Sequence, residues 1–313
     1  MSTHPVTTPA APRTDAIAAG TGMDAVTLLV GDLDTQERFY RDVLLLDVLE
    51  QPVDRLAATT RPDVVTLGRG TTPLVVLRHT PDLPPAQRGS AGLFHTALVF
   101  DDRAGLATTI ASLARHAPQT YAGSADHLVS QAFYVTDPEG NGVELYWDRP
   151  RAEWAFDAQG QVRMDSLRLD PNEFLRAHLP DAATPVDPFG LAAGTRPGAS
   201  VGHVHLQVGD VPAARGFYVD ALGFDVMAEF HGALFVSAGG YHHHVAVNSW
   251  STAGAGPRAS ALGLGEMAIL VPTADDVAAL GDRLAHAGIP SRHDGLTLTF
   301  ADPWRNVIAV TAG

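Results

Sequence analysis

Alternating apolar and polar residues, followed each time by a helical pattern, divide the chain into similar segments. The stretches VTLLV (26–30) and VHLQV (204–208) alternate as half-buried strands do. Each is followed by Gly-Asp, in which Asp32 or Asp210 can cap a helix. The apolar face of that helix would carry Phe39-Tyr40 in the first case and Phe217-Tyr218 in the second. The pattern therefore predicts a strand followed by a helix at two places.

An internal repeat connects these two places. Residues 31–47 (GDLDTQERFYRDVLLLD) match residues 209–225 (GDVPAARGFYVDALGFD) without a gap, and seven identical residues recur at a constant offset of 178. Strand patterns rich in Val and Leu follow each copy. A second repeat lies behind: HTALVFD (95–101) and EMAILVP (266–272) each precede a helical pattern, and both copies end with an Asp-Pro turn and a final strand. We therefore predict an α+β fold of four βαβββ modules.

A segment rich in Pro, Ala and Asp separates the second module from the third. It spans residues 149–199 and contains one predicted short helix, Pro171 to His178. We interpret it as a linker between a first domain at residues 23–148 (modules one and two) and a second at 200–313 (modules three and four). Residues 1–22 lack both a basic start and a sustained apolar core, so we expect a flexible tail and no secretion signal.

Charge and composition exclude several classes of function. The net charge is -14, and no stretch collects arginines into a basic stripe, so nucleic acid is not an expected partner. All 21 basic residues are Arg and there is no Cys, which excludes thiol nucleophiles, Cys-ligated zinc and lysine Schiff bases. No apolar window reaches the length of a membrane span, so we expect a cytoplasmic protein. The oligomeric state stays open, a homo-oligomer included.

Two motifs add a resemblance to this modular pattern. The segments FVSAGGYHHHVAVNSW (235–250) and DPEGNGVELYWDRPRAEW (137–154) make the chain resemble the vicinal-oxygen-chelate superfamily, and within it the two-domain catechol 2,3-dioxygenases. The resemblance covers residues 24–312. It implies modules paired into half-barrels around one divalent metal, and extradiol cleavage of a catechol by dioxygen at mononuclear non-haem Fe(II), with Mn(II) as the alternative metal.

The resemblance also implies where the metal ligands lie, because relatives use the first strand of two modules and the last strand of one. The corresponding first-strand positions are Ala25, His95, His203 and Glu266, and the last-strand positions are Glu144 and Ala309. A facial triad for Fe(II) needs two imidazoles and one carboxylate. Only the pairing of module two with module three supplies them, as His95, His203 and Glu144. We therefore expect the site between modules two and three, with modules one and four forming a metal-free half-barrel.

Further roles follow from the same resemblance. Relatives have a His-His pair on the last strand of this module, whose second member is the proton shuttle. In the run 242–244 strand alternation puts His242 and His244 on one face, so His244 is assigned as the acid/base residue, and His243 is the alternative. Tyr134 and His127 are expected to hydrogen-bond the bound catechol. His205 is either a group supporting the site or an ordinary structural histidine. Two other functions stay open: a glyoxalase-type metal-dependent isomerase or transferase, and a non-catalytic binding protein for an aromatic ligand.

Overall fold

Two mixed β-sheets dominate the structure, a computed structural model that describes residues 16–49, 63–180 and 197–313. Within these residues one sheet has eight strands and the other has nine. The first module spans strands β1–β4, the second β5–β8, the third β10–β13 and the fourth β14–β17. Each module has the order βαβββ, which confirms the predicted α+β architecture of two half-barrels.

The eight-stranded sheet combines the first and fourth modules in the order β15-β16-β17-β14-β1-β4-β3-β2. Its strands are β1 (Gly22–Val30), β2 (Asp47–Leu49), β3 (Val64–Arg69), β4 (Thr72–His79), β14 (Gly263–Val271), β15 (Ser291–His293), β16 (Leu298–Ala301) and β17 (Val307–Ala312).

The nine-stranded sheet combines the second and third modules in the order β11-β12-β13-β10-β5-β8-β7-β6-β9. Its strands are β5 (Gly92–Phe100), β6 (Tyr121–Asp126), β7 (Ser130–Thr136), β8 (Gly142–Asp148), β9 (Leu167–Arg168), β10 (Ala199–Gln207), β11 (Asp225–Phe230), β12 (Ala233–Ser237) and β13 (Val245–Asn248). The two sheets therefore pair the modules as the proposed ligand set requires, two with three and one with four.

Helices cover the sheets and begin at side-chain caps. They are α1 (Leu33–Arg38), α2 (Arg103–His116), α3 (Pro171–His178), α4 (Val211–Arg215) and α5 (Ala274–His286); α1 and α4 continue as π-helical turns. The Asp32 carboxylate accepts the Thr35 N–H at 3.0 Å, and the Asp210 carboxylate accepts the Ala213 N–H at 2.7 Å. Both caps are those predicted from the repeat.

The repeated Tyr and Asp residues join consecutive modules across the two sheets. Tyr40 Oη donates to Asp137 Oδ2 at 3.2 Å, and Tyr218 Oη donates to Asp302 Oδ2 at 3.1 Å. All four side chains are buried. Each Asp opens an Asp-Pro turn and also accepts backbone N–H groups of that turn. The repeat is therefore structural here, since a buried carboxylate needs such partners.

The segment expected to be a linker packs against the second sheet. Strand β9 pairs with β6, and Phe174 of α3 contacts Phe133 with ring centroids 4.9 Å apart. Helix α3 has the bounds predicted from the sequence. In the expected tail, residues 1–15 lie outside the described part, whereas Ile17 is buried and its N–H donates to Gly223 O at 2.9 Å. No helix among the described residues is long and apolar enough to cross a membrane.

Candidate metal centre

The three expected ligands lie together on neighbouring central strands of the nine-stranded sheet. His95 is on β5, Glu144 on β8 and His203 on β10. Glu144 Oε2 lies 3.0 Å from His95 Nε2 and 3.2 Å from His203 Nε2. All three side chains are buried. Two imidazoles thus meet at one carboxylate oxygen, on side chains 49, 59 and 108 residues apart in sequence.

Strand register explains this convergence. Ala97 is the register partner of Glu144 in the parallel β5–β8 pair and of His203 in the antiparallel β5–β10 pair. The carboxylate and one imidazole therefore flank the small side chain of Ala97. His95 is two residues before Ala97 and shares its face of the sheet. One row of the sheet face thus brings all three ligating groups together.

The electrostatics and hydrogen bonding of this cluster fit a cation. Burial raises the pKa of Glu144, but the adjacent His203 and His95 imidazoles outweigh burial and hold that pKa well below its ordinary value. Burial lowers the pKa of His203 to about 4, so its imidazole is neutral, the form that ligates metals. The buried His95 Nε2 makes no hydrogen bond despite lying 3.0 Å from the carboxylate oxygen. A donor atom left unpaired in this way is what a metal ligand requires.

A second group of three histidines shares one member with the first. His203, His242 and His243 also offer ligating atoms within 4.8 Å of one another. Both nitrogens of His242 are already bonded, however: Nε2 to Asp148 Oδ1 at 2.9 Å and Nδ1 to His243 Nδ1 at 2.8 Å. In the His95, His203 and Glu144 set, by contrast, the hydrogen bond between His203 Nε2 and Glu144 Oε2 at 3.2 Å is internal to the set, and the carboxylate offsets the charge of a cation. It is the better metal site of the two.

A hydrogen-bonded chain runs from Asp148 to the cavity. Because the Asp148 carboxylate can only accept, the neutral form of His242 has its proton on Nε2 and presents an unprotonated Nδ1 to His243. His243 then donates from Nδ1, which leaves the lone pair on its Nε2. Tyr241 donates to the other oxygen of Asp148 at 2.7 Å and is bonded in turn to the Tyr146 hydroxyl at 2.7 Å. This series of hydrogen bonds therefore fixes the orientation and the tautomer of His243.

His243 lines the cavity at the site, whereas His244 is not among the lining residues. His244 Nδ1 accepts the Ala238 N–H at 3.2 Å and lies 2.9 Å from Ser237 Oγ. Burial lowers the pKa of His244 to about 3. The histidine run also precedes β13 and does not lie on it, so strand alternation, on which the preference for His244 depended, does not apply.

Tyr134 and His127 lie on the opposite wall of the cavity and contact each other. Tyr134 Oη is 2.6 Å from His127 Nε2, and His127 Nδ1 is 2.7 Å from the Asp165 carbonyl oxygen. Since that carbonyl only accepts, Nδ1 carries a proton, and in the neutral form of the ring Nε2 accepts the Tyr134 hydroxyl. Burial, with the nearby Glu144, raises the pKa of Tyr134 well above its ordinary value.

The cavity has a volume of about 440 Å³ and a largely aromatic wall. Phe94, Phe230, Phe235 and Trp250 line it, and Met164, Asp165 and Ser166 of the 149–199 segment close one side. His205 also lines the cavity, where its Nε2 accepts the Asn248 side-chain amide at 3.0 Å. Glu266 lies in the other sheet. The described residues offer no third group of potential metal ligands.

Asp148 and Phe94 are two of the site residues that were not predicted from the sequence. A signal for Asp148 was present, because it lies four residues after Glu144 on the same strand and therefore on the same face. Phe94 gave no such signal, since it is adjacent to His95 and would alternate to the other face. A register shift pairs His205 with His95 but Leu206 with Leu93, so Phe94 is the extra residue of a β-bulge.

Comparison with known proteins agrees with this architecture. The family model described as "Glyoxalase/Bleomycin resistance protein/Dioxygenase superfamily" matches residues 22–145 and 200–310. A protein of Bacillus subtilis (strain 168) named catechol-2,3-dioxygenase is 33% identical over 282 residues, which cover 88% of this chain and 92% of that protein.

Solved structures share the fold at lower sequence identity. A crystal structure from Bacillus subtilis subsp. subtilis str. 168, whose protein carries a provisional dioxygenase description, has a TM-score of 0.61 and 13% identity. The match covers 95% of this chain and 86% of the chain in that structure. The structure of glyoxalase I from Zea mays has a TM-score of 0.52 and 16% identity over 94% of this chain and 92% of its own. At such identities the likeness concerns the fold alone.

Proposed function

Because the chain belongs to the glyoxalase/bleomycin resistance protein/dioxygenase superfamily, we propose that it is an extradiol dioxygenase that opens a catechol ring with dioxygen. The metal would be Fe(II), with Mn(II) as the alternative, held by His95, His203 and Glu144. The observation that carries the proposal is the meeting of two imidazoles at one buried carboxylate oxygen. This donor set is typical of non-haem Fe(II) oxygenases.

When bound, Fe(II) in such a set supplies redox chemistry with dioxygen and makes a coordinated hydroxyl more acidic. The relative named catechol-2,3-dioxygenase supports a catechol as the substrate class. The remaining tasks belong to the chain itself, which has to orient the diol, exclude water and hold protons.

His243 is the residue we propose to take a proton from the diol and return it later. Its Nε2 has the free lone pair, and its ring lines the cavity beside the metal ligands, 4.0 Å from the His203 ring between centroids. His242 and Asp148 keep that tautomer in place through two hydrogen bonds. His244, the assignment made from sequence, would instead support the local backbone through its bond from the Ala238 N–H.

Tyr134 and His127 would bond the substrate oxygens from the other wall. With His127 neutral, the Tyr134 hydroxyl donates to His127 Nε2 and its oxygen can accept from a substrate hydroxyl. If His127 takes up a proton at Nε2, it donates to the tyrosine oxygen, and the phenolic hydrogen is free to turn towards the cavity. Such a donor can stabilise negative charge on oxygen in the reaction.

Metal content and oxygen uptake test the proposal. The purified protein, loaded with Fe(II) under anaerobic conditions, should retain one iron per chain and consume oxygen when catechol is added. Glu144→Ala should lose both iron and activity, because one charged ligand and the meeting point of two imidazoles are removed. Glu266→Ala is the matched control, since Glu266 occupies the corresponding first-strand position of the other sheet, and this variant should keep both.

Two results would favour the other functions, and a third would contradict the proposed metal ligands. Bound metal with no oxygen uptake over a panel of catechols would favour a glyoxalase-type isomerase or transferase. Failure to retain any divalent metal would favour a binding protein for an aromatic ligand. Loss of metal in Glu266→Ala alone would mean that the metal lies in the other sheet.

A further inference from the structure

We infer that the preferred substrate is a catechol with an apolar alkyl or aryl substituent, and that catechols with a carboxylate substituent are disfavoured. The inference rests on the proposed function for the diol, but its own basis is the part of the cavity beyond the metal ligands. That part decides what a substituent on the ring would contact.

Two rows of aromatic rings lead outward from the candidate metal centre. The first row is His95, Phe94 and Trp250, with ring centroids 5.2 Å and then 5.8 Å apart. The second row, on the third module, is His243, Phe235 and Phe230, with centroids 5.0 Å and then 5.5 Å apart. Most neighbouring rings meet edge to face, the arrangement favoured by aromatic pairs.

Exposure increases along both rows from the metal ligands towards solvent. His95 is 6% exposed, Phe94 37% and Trp250 55%; in the second row His243 is 8% exposed and Phe230 is 47%. Exposed large aromatic side chains grouped at the mouth of a cavity are typical of a ligand-binding groove. A substituent that extends from the ring towards the mouth would therefore lie between two apolar walls and bury part of each.

The charges around the cavity also disfavour a carboxylate substituent. No arginine is among the cavity-lining residues that the structure describes, and the chain has no lysine. The acidic residues of the lining are Glu144 and Asp165, and the whole chain carries a net charge of -14. A substrate carboxylate would enter against this field and would lack a cationic partner once desolvated. Proteins that select a carboxylate usually provide an arginine for it.

The size of the cavity leaves room for such a substituent. Its volume of about 440 Å³ lies within the range of roughly 300–1,000 Å³ typical of sites for drug-sized ligands. A single catechol ring is far smaller than ligands of that class. Met164, which also lines the cavity, adds a further apolar side chain to the lining.

An isosteric pair of ligands tests the inference by binding alone. The affinities of 4-isopropylcatechol and 3,4-dihydroxybenzoate, which differ mainly in charge at the substituent, are compared by titration calorimetry on the anaerobic Fe(II)-loaded protein. We expect the isopropyl compound to bind at least about tenfold more tightly, the scale at which apolar pockets discriminate. Biphenyl, which has no diol, should bind the metal-free protein and quench its tryptophan fluorescence. Equal or tighter binding of the carboxylate compound, or no biphenyl binding, would overturn the inference.

A charge placed on the second row should reverse the preference. Phe230→Arg should weaken binding of 4-isopropylcatechol by about tenfold and strengthen that of 3,4-dihydroxybenzoate, because it puts a guanidinium at the mouth of the cavity. Phe156→Arg is the matched control: Phe156 has nearly the same exposure, 45%, but does not line the cavity. An unchanged preference in Phe230→Arg, or the same reversal in Phe156→Arg, would contradict the inference.

The outcomes separate this inference from the proposed function. If biphenyl and 4-isopropylcatechol bind as expected but no catechol leads to oxygen uptake, the proposed reaction is wrong and the apolar ligand preference remains. If oxygen is consumed with 3,4-dihydroxybenzoate at the lowest KM of the panel, the reaction stands and the inferred substrate class is wrong.

Discussion

Replacing Gly202 by alanine should destabilise the protein next to the candidate metal centre. Gly202 lies on β10 directly before His203, and the register with β5 shifts there, so that Gly202 is an extra residue. A Cβ built on Gly202 would overlap the Tyr146 hydroxyl and would lie 2.8 Å from Tyr146 Cζ. Tyr146 is fully buried, so its ring cannot swing into solvent to relieve the overlap.

The expected cost has two parts. Inserting a methyl group into a packed interior costs about 1–3 kcal/mol through displaced side chains and backbone. Moving the Tyr146 hydroxyl also breaks its 2.7 Å hydrogen bond to Tyr241, which contributes about 1 kcal/mol. The free energy of unfolding should therefore fall by about 2–4 kcal/mol, the sum of these ranges. Metal affinity should fall as well, because the Tyr146 ring lies 5.1 Å from the His203 ring between centroids.

Urea unfolding of the metal-free variants measures the first effect. Gly22→Ala is the matched control: Gly22 also lies on a strand, and a Cβ there would meet nothing within 4 Å. The double variant Gly202→Ala/Tyr146→Phe lacks the overlapping oxygen, so it should be less destabilised than the sum of the two single changes. The packing argument is refuted if Gly202→Ala unfolds at the same urea concentration as Gly22→Ala, or if the two changes are additive.

Three further substitutions test a buried Tyr–Asp hydrogen bond, a helix cap and the hydrogen bonds that lead from Asp148 to His243. Tyr218→Phe removes the hydrogen bond to the buried carboxylate of the turn in module four and should lower the free energy of unfolding by about 1–2 kcal/mol, measured by urea unfolding. Thr273→Ala removes the capping box of α5 and should cost about 1 kcal/mol in the same assay, whereas no change would mean that the cap is dispensable. Asp148→Asn should reduce turnover by roughly ten- to hundredfold with little change in KM. His242 and Tyr241 donate to different oxygens of Asp148, and in asparagine one of these becomes an NH2 group that cannot accept. An unaffected kcat would mean that the hydrogen bonds from Asp148 to His243 have no part in the mechanism.

The module architecture could be predicted because each module begins and ends with short sequence patterns that recur along the chain. Gly-Asp before each helix and Asp-Pro before each last strand mark the module boundaries, and both kinds of residue make the local bonds that the patterns indicate. The pairing of module two with module three followed from the ligand positions that the resemblance implies, since at those positions no other pair offers two imidazoles and a carboxylate. The sheet order then agrees with that pairing.

The cavity could not be predicted in the same way, because its details depend on departures from regular structure. Alternation assigned the functional face of the histidine run to His244, but residues 241–244 precede the strand, and His243 lines the cavity. Phe94 reaches the cavity because a bulge breaks the alternation beside His95. Met164 comes from a segment whose composition indicated only a linker. Periodicity cannot detect such contacts, since each depends on what another strand or segment does.

The topology makes the candidate metal centre a test of the whole fold. Glu144 and His95 come from module two and His203 from module three, so the donor set exists only where β5 pairs with β10. The buried Tyr–Asp bonds, in contrast, join module one to two and module three to four across the sheets. Hydrogen bonds thus connect consecutive modules across the sheets, while each sheet contains one module from each half of the sequence. Metal binding stabilises only the state in which the donors are together, so bound metal should stabilise both sheets as one cooperative unit.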